Sequence, residues 1–144
     1  MALYEKMNVY LANQQVMYIK LHNLHWYVQG PAFFTLHSKF EELYDQTAEI
    51  IDEVAERLLA LGQAPAASVK KALELAAVKE LEDKPVKQVE AVQHLLEDTK
   101  YWVKDTKEIV QLAEEEGDSI TADMFNDYLK EYEKLAWMLE AYNA

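Results

Sequence analysis

The sequence predicts an all-α protein, a four-helix bundle with a short extra helix in the long connection between the second and third helices. Three observations lead to this prediction. The 144 residues include only three glycines and three prolines, which is few for a chain rich in strands and turns. Apolar side chains recur at helical spacing through four long segments. The glycines and prolines lie between these segments, so they mark the ends of the helices.

Two long helices are predicted on either side of the dipeptide Gly30-Pro31. The first covers about residues 2–29, and the dipeptide stops it. The second covers about residues 33–61, and Gly62 suits a C-terminal cap because glycine adopts the left-handed conformation readily. The short link between the two helices predicts an antiparallel hairpin.

A short helix is predicted in the middle of the chain. Residues 62–68 form a turn, and Ser68 is a suitable N-cap for a helix that ends near Ala77. The next boundary is at residues 83–85, where Pro85 suits the first turn of a helix.

The third and fourth long helices complete the predicted fold. Apolar residues from Val86 onward recur at helical spacing, and this helix reaches Glu116 before Gly117 ends it. The fourth helix begins near Asp118 or Ser119 and continues nearly to the last residue. Four long helices with one long crossover connection in the middle are typical of the ferritin-like topology. The length of 144 residues suits a single domain, residues 1–144.

Two histidines and three carboxylates form the main candidate site. They are His25 on the first helix and His37, Glu41, Asp52 and Glu56 on the second. At about 100° per residue, the four on the second helix fall on one stripe. The two histidines lie at similar distances from the turn between the helices. An antiparallel hairpin would therefore bring both imidazoles to the same height.

One copy of the chain cannot use this stripe as a single site. Fifteen residues separate His37 from Asp52, which is about 22 Å along a helix axis. We call His25, His37 and Glu41 the histidine half, and Asp52 and Glu56 the carboxylate half. A second copy, lying antiparallel across a two-fold axis, would bring the histidine half of each chain to the carboxylate half of the other. The symmetry makes two such centres in each pair of chains. The spacing therefore predicts a metal centre shared between subunits.

The ligand types indicate which metal such a centre would bind. Mixed imidazole and carboxylate ligands favour Fe(II) and similar first-row ions, and carboxylates also stabilise Fe(III). The sequence has no Glu-x-x-His pair, the signature of di-iron sites inside a helical bundle, which favours an interface. A solvated, charged helix face is the alternative interpretation of the stripe.

Composition excludes several other classes of protein. The chain has no cysteine, which excludes disulfide frameworks and thiolate metal sites. No apolar run approaches the length of a membrane span, and the first residues lack the apolar core of a signal peptide, so a soluble cytoplasmic protein is expected. The formal charge of −12 disfavours unaided binding to nucleic acid or anionic membranes.

Several ordered motifs resemble those of one known family. They are His22-Asn-Leu-His-Trp-Tyr-Val-Gln-Gly-Pro31, Phe33-Phe-Thr-Leu-His37, Asp52-Glu-Val-Ala-Glu-Arg57 and Ala136-Trp-Met-Leu139. Together with the short middle helix, they resemble the Dps family of miniferritins (DNA-binding proteins from starved cells) over essentially the whole chain. The resemblance implies a hollow dodecamer with ferroxidase centres at two-fold interfaces. It also implies oxidation of Fe(II), usually by hydrogen peroxide, with mineral storage and protection against oxidative damage under stress.

The resemblance also implies roles for particular residues. The iron ligands would be the histidine half of one subunit and the carboxylate half of its partner, with two irons per centre. Many members carry aspartate where this chain has Glu41, and the longer side chain leaves occupancy of the second iron position open. Trp26 would lie near the metal and intercept stray radicals, or it is a core aromatic at the interface. His22 is interpreted as a supporting residue rather than a ligand.

Three aspartates at the start of the fourth helix have two interpretations. Asp118, Asp123 and Asp127 suit capping and the positive end of the helix dipole. By resemblance, they line pores at the three-fold axes and concentrate Fe(II) there.

Direct DNA binding is expected to be weak or absent. The sequence shows no lysine-rich tail, and the lysines at positions 100, 104 and 107 lie among acidic neighbours. The main alternative function is a DNA-compacting cage whose iron chemistry is incidental. A further alternative is an acidic helical oligomer with a vestigial metal site.

Overall fold

The structure, a computed structural model, describes all 144 residues. Five helices and two short strands follow in the order α1 Leu3–Tyr27, β1 Val28–Gln29, α2 Phe33–Ala60, α3 Val69–Leu75, β2 Val86–Lys87, α4 Gln88–Glu115 and α5 Ser119–Asn143. The four long helices and the short one lie within a few residues of their predicted positions. None of these helices contains a stretch long and apolar enough to span a lipid bilayer.

The chain divides into two compact units, of which the first is residues 4–88. In this unit α1 and α2 form an antiparallel hairpin. Ring contacts between Tyr18 and Tyr44 and between His25 and His37 show this arrangement. Large apolar side chains along both helices are buried, including Met7, Tyr10, Leu11, Leu24, Phe40, Leu43, Val54 and Leu58. Their burial supplies the main driving force for forming the hairpin, since helices gain most of their stability from packing.

Amide side chains of α1 hold the long connection between α2 and α4. Their hydrogen bonds join Asn8 to Ala64 and Ala66, Gln15 to Ala66, Asn13 to Ala77 and Val78, and Asn23 to Glu82. The short helix α3 lies within this connection, and the Ser68 hydroxyl accepts from the backbone N–H of Lys71 at 3.2 Å, as expected for its N-cap. The connection therefore has a defined path although it contains little secondary structure.

A two-stranded parallel sheet replaces the predicted start of the third long helix. Val28 and Gln29 pair with Val86 and Lys87, so the predictions that residues 28–29 belong to the first helix and residues 85–87 to the third are wrong. The strand forms because its partner lies beside the turn between α1 and α2, a tertiary contact that local periodicity does not reveal. The pairing of Val86 and Lys87 with this partner strand places the next residue, Gln88, beside the turn.

Gln88 and Gly30 fit together at the turn between α1 and α2. The Gln88 side-chain oxygen accepts a hydrogen bond of 2.8 Å from the backbone N–H of Ala32. Gly30 has φ of +138°, and a Cβ at this position would lie 2.5 Å from the same oxygen. The backbone conformation therefore favours glycine at this position, and any larger residue would displace the Gln88 side chain.

The second unit comprises residues 1–3 and 89–144. Its helices α4 and α5 are antiparallel, with the rings of Trp102 and Tyr132 stacked at 6.0 Å. At the far end of α5, the Asn143 side chain donates to the carbonyl of Val89 at 3.2 Å. Gly117 has φ of +74° between the two helices, which matches the predicted stop signal.

Candidate metal centre

The two histidines of the histidine half meet face to face across the α1–α2 hairpin. Their ring centroids are 3.6 Å apart, and the ring planes differ by 12°. The Nδ1 atom of His25 lies 2.6 Å from the carbonyl oxygen of His37, and the Nδ1 atom of His37 lies 2.7 Å from that of His25. The predicted equal height of the imidazoles is therefore confirmed, and each ring is fixed by the backbone of the other helix.

These reciprocal hydrogen bonds determine which ring nitrogens are available for metal. A carbonyl oxygen can only accept, so each Nδ1 carries a proton and donates. In the neutral ring, Nε2 then has the free lone pair that a metal ion requires. Orientation of a ligating histidine by a carbonyl behind it is a common feature of metal sites. The geometry therefore presents two oriented Nε2 donors.

Glu41 lies one helical turn after His37 and approaches the same place. Its Oε1 atom is 4.0 Å from Nε2 of His25. With metal–ligand bonds of about 2.1 Å, two ligand atoms at the angles of a tetrahedral or octahedral ion are about 3.0–3.5 Å apart. The Glu41 side chain is exposed, so a movement of less than about 1 Å would bring both atoms to one ion.

A cluster of aromatic rings beside the histidine half was not predicted from the sequence. The Tyr44 hydroxyl donates to Glu41 Oε1 at 3.3 Å, and its ring stacks on His22 at 3.8 Å. Loss of solvent around the phenol, and then the charge of Glu41, raise the pKa of Tyr44 above its usual range. Tyr44 therefore keeps its proton at neutral pH and acts as a donor. Its position three residues after Glu41 was the available signal.

Trp26 and His22 also belong to this aromatic cluster. The ring of Trp26 is 5.3 Å from that of His22, and 67% of the tryptophan is exposed. The Nδ1 atom of His22 lies 2.7 Å from the carbonyl oxygen of Tyr18. This bond and the ring contacts fit the interpretation of His22 as a supporting residue. Trp26 is not a core residue of the single chain.

The carboxylate half lies elsewhere on the same uninterrupted helix. Asp52 and Glu56 are exposed residues of α2, and Asp52 is fifteen residues, about 22 Å, beyond His37. Within one chain, no three histidine, aspartate or glutamate side chains are grouped so that they could hold a metal ion. The single chain thus holds the His25 and His37 rings in contact and places Glu41 4.0 Å from His25, without completing a group of three ligands. Asp52 and Glu56 lie apart from all three.

The three aspartates near the start of α5 differ in their surroundings. Asp118 is the N-cap: its carboxylate accepts from the backbone N–H of Thr121 at 3.0 Å and from the Thr121 hydroxyl at 2.6 Å. Asp123 and Asp127 lie farther along the helix and are exposed. Capping therefore accounts for Asp118, whereas it does not account for the other two.

We expect Asp118→Ala to lower the free energy of unfolding by about 1–2 kcal/mol, since it removes the cap of a long helix. Asp123→Ala should change it by less than about 0.5 kcal/mol because this exposed side chain has no capping role. Urea unfolding followed by circular dichroism, at one subunit concentration, measures both variants. Equal losses of stability would contradict the assignment of the cap to Asp118 alone.

Comparison with known proteins places this chain and its fold in a family. The family model for the ferritin-like domain matches residues 4–144. General stress protein 20U of Bacillus subtilis is 47% identical over 140 residues, which cover 97% of this chain and 96% of that protein. The crystal structure of a Dps protein from Bacillus brevis matches with a TM-score of 0.95 at 41% identity, covering 99% of this chain and 95% of the other.

A third comparison concerns the wider superfamily. The Dps protein from Vibrio cholerae matches with a TM-score of 0.94 at 39% identity, covering 99% of this chain and 89% of the other, and is described as a member of a broad superfamily of ferritin-like diiron-carboxylate proteins. The chain therefore belongs to the Dps proteins of the ferritin-like family. The predicted ferritin-like fold is confirmed.

Proposed function

We propose that this chain is a subunit of a cytoplasmic miniferritin that oxidises Fe(II) and stores the ferric product inside a hollow dodecamer. The observation that carries the proposal is the reciprocal hydrogen bonding of His25 and His37, which leaves Nε2 of each ring as an oriented metal donor. Packing alone does not require two histidines to fix each other's tautomer. The description of the Vibrio cholerae relative as a diiron-carboxylate protein supports iron as the metal.

The proposed centre is completed by a second copy of the chain. The carboxylate half is about 22 Å from the histidine half along α2, so it serves the partner's histidines across a two-fold axis. Exposed apolar side chains on α1 and α3, among them Ile19, Val69 and Leu73, provide a surface suited to burial against that copy. Each pair of chains then contains two centres with His25, His37 and Glu41 from one chain and Asp52 and Glu56 from the other.

The proposed reaction uses hydrogen peroxide as the preferred oxidant. Two Fe(II) ions each give one electron, the O–O bond of one peroxide breaks, and with two protons the oxygens leave as water. Holding both irons at one centre delivers both electrons to the same peroxide, which avoids one-electron cleavage to a hydroxyl radical. Imidazoles suit the Fe(II) substrate and carboxylates suit the Fe(III) product. Trp26, near the site through His22, would intercept radicals that escape this reaction.

Two further features would deliver Fe(II) to the interior. Asp123 and Asp127 are exposed near the start of α5, and with Asp118 they would line pores where subunits meet around three-fold axes. Rings of carboxylates attract cations and raise their local concentration. The formal charge of −12 per chain favours cation entry for the same reason, and it disfavours direct binding to DNA at physiological salt.

The proposal is tested by stopped-flow oxidation of Fe(II) with hydrogen peroxide. We expect rapid oxidation with about two Fe(II) consumed per peroxide, and a loss of more than about a hundredfold in rate in Asp52→Ala/Glu56→Ala. The matched control is Glu42→Ala/Glu49→Ala, which removes two other exposed carboxylates of α2. Light scattering verifies that all three particles are intact. Equal rates in the three proteins would mean that the stripe is only a charged face, and the DNA-compacting alternative would then be the better interpretation.

A further inference from the structure

Tyr44 lies against the histidine half but has no part in the function proposed above. Its ring fits between two histidines: it stacks on His22 with planes 18° apart, and it meets His25 edge-on with centroids 5.4 Å apart. Its hydroxyl donates to Oε1 of Glu41 at 3.3 Å. This is the same oxygen that lies 4.0 Å from Nε2 of His25. Tyr44 therefore holds the Glu41 oxygen that faces the metal-binding nitrogen.

The position of the Tyr44 ring is itself fixed. His22 is tied to the backbone of α1 through Nδ1, which lies 2.7 Å from the carbonyl oxygen of Tyr18. The Tyr18 ring packs edge-on against His22, with centroids 4.7 Å apart. The stacked His22 is thus a rigid platform, and an aromatic ring resting on it keeps few rotamers.

Glu41, in contrast, has no such support of its own. Its side chain is 56% exposed, and a glutamate at an exposed helix position loses considerable rotamer entropy when it is fixed. It also has one more rotatable bond than an aspartate at the same position. The contact from Tyr44 is therefore what selects one orientation of the carboxylate before a metal ion arrives.

We propose that Tyr44 is a positioning residue that holds Glu41 toward His25 and thereby raises the affinity of the histidine half for the first Fe(II) to bind. This inference rests on the proposed function. A ligand that is already oriented loses less conformational freedom on binding, so the benefit falls on metal affinity. Removing a hydrogen-bond partner of a metal ligand typically weakens metal binding by about ten- to a hundredfold. Because Glu41 is exposed to solvent, we expect the loss on removing the Tyr44 hydroxyl to be at the lower end of this range.

The test uses Co(II), a first-row ion that does not oxidise in air and has a visible spectrum. Tyr44→Phe keeps the ring and its stacking on His22 but removes the hydroxyl. We expect this variant to bind Co(II) about tenfold more weakly in an absorbance titration, with unchanged particle size and melting temperature. Tyr18→Phe is the matched control, because Tyr18 contacts His22 through its ring, and its affinity should equal that of the wild type.

A double-mutant cycle separates positioning of Glu41 from a general structural effect. In a Glu41→Ala background, Tyr44→Phe should have no further effect on Co(II) affinity, since the group it positions is gone. A full tenfold loss in that background would overturn the inference. So would a visible phenolate-to-Fe(III) charge-transfer band that Tyr44→Phe abolishes, because Tyr44 would then be a ligand.

The same titration distinguishes failure of this inference from failure of the proposed function. Wild type that binds Co(II) no better than His37→Ala would overturn both, because the histidine half would not be a metal site. Wild type that binds Co(II) in a manner that depends on His37, but no more tightly than Tyr44→Phe, would overturn the positioning role alone.

Discussion

Particles assembled from two different inactive chains should recover about one quarter of the wild-type rate of Fe(II) oxidation. One chain carries His25→Ala/His37→Ala and the other Asp52→Ala/Glu56→Ala, and each alone should be more than about a hundredfold slower than wild type. In a mixed pair, one centre combines both defects, whereas the other combines intact histidines with intact carboxylates. Random pairing makes half of the pairs mixed, so about a quarter of all centres are complete. Stopped-flow kinetics on co-expressed particles measures the recovery.

The control for this experiment is wild type mixed with a chain that carries all four substitutions. A shared centre predicts that about one quarter of the activity remains, because every mixed pair has two incomplete centres. Centres within single chains predict about one half instead, and they predict no recovery from the two inactive chains. That second pattern would contradict the shared centre, whatever the rate of the wild type.

The expectation that each centre is shared between two chains follows from the distance between His37 and Asp52 along α2. His37 and Asp52 belong to one uninterrupted helix, Phe33–Ala60, so no rotation of side chains brings them to the same ion. The separation was evident from the sequence, because a helical segment converts residue number directly into length. What the sequence did not reveal was how the histidine half is built. The reciprocal bonds to backbone carbonyls depend on how α1 and α2 pack.

The helices themselves were predicted well because their signals are local. Apolar periodicity placed α1, α2, α4 and α5, and Ser68 and Asp118 proved to be the N-caps of α3 and α5. The parallel strand pair was missed because Val28 and Val86 are far apart in the sequence and meet only after folding. Two-residue strands also carry no periodicity of their own.

Tyr44 shows a different reason why a site residue escapes sequence analysis. Its spacing from Glu41 was visible, but an aromatic residue at helical spacing is usually part of a core. Only the geometry shows that its hydroxyl reaches the carboxylate while its ring stacks on His22. Tertiary packing decides which group a side-chain hydroxyl contacts. The hydrogen bond from Tyr44 to Glu41 could therefore be identified only from the structure.

The polar residues inside α1 are the other feature that periodicity did not reveal, and Asn13 is the most important of them. Its side-chain oxygen accepts from the backbone N–H of Ala77 at 2.6 Å and from that of Val78 at 2.9 Å, and Asn13 is fully buried. We expect Asn13→Leu to lower the free energy of unfolding by about 2–4 kcal/mol, because two backbone donors lose their acceptor and that of Val78 is shielded from water. Urea unfolding at a fixed subunit concentration measures the change.

The matched control is Asn23→Leu, the same substitution on the same helix. Asn23 donates to the carbonyl of Glu82 at 3.0 Å in an exposed setting, where water can replace the lost bond, so the expected cost is below about 1 kcal/mol. Equal costs at the two positions would contradict the role of Asn13 as a buried clamp on the connection. Folded particles of Asn13→Leu should still oxidise Fe(II) at the wild-type rate, because Asn13 holds the connection and belongs to neither half of the centre. A stability defect without a catalytic defect would therefore separate what holds the fold from what carries out the chemistry.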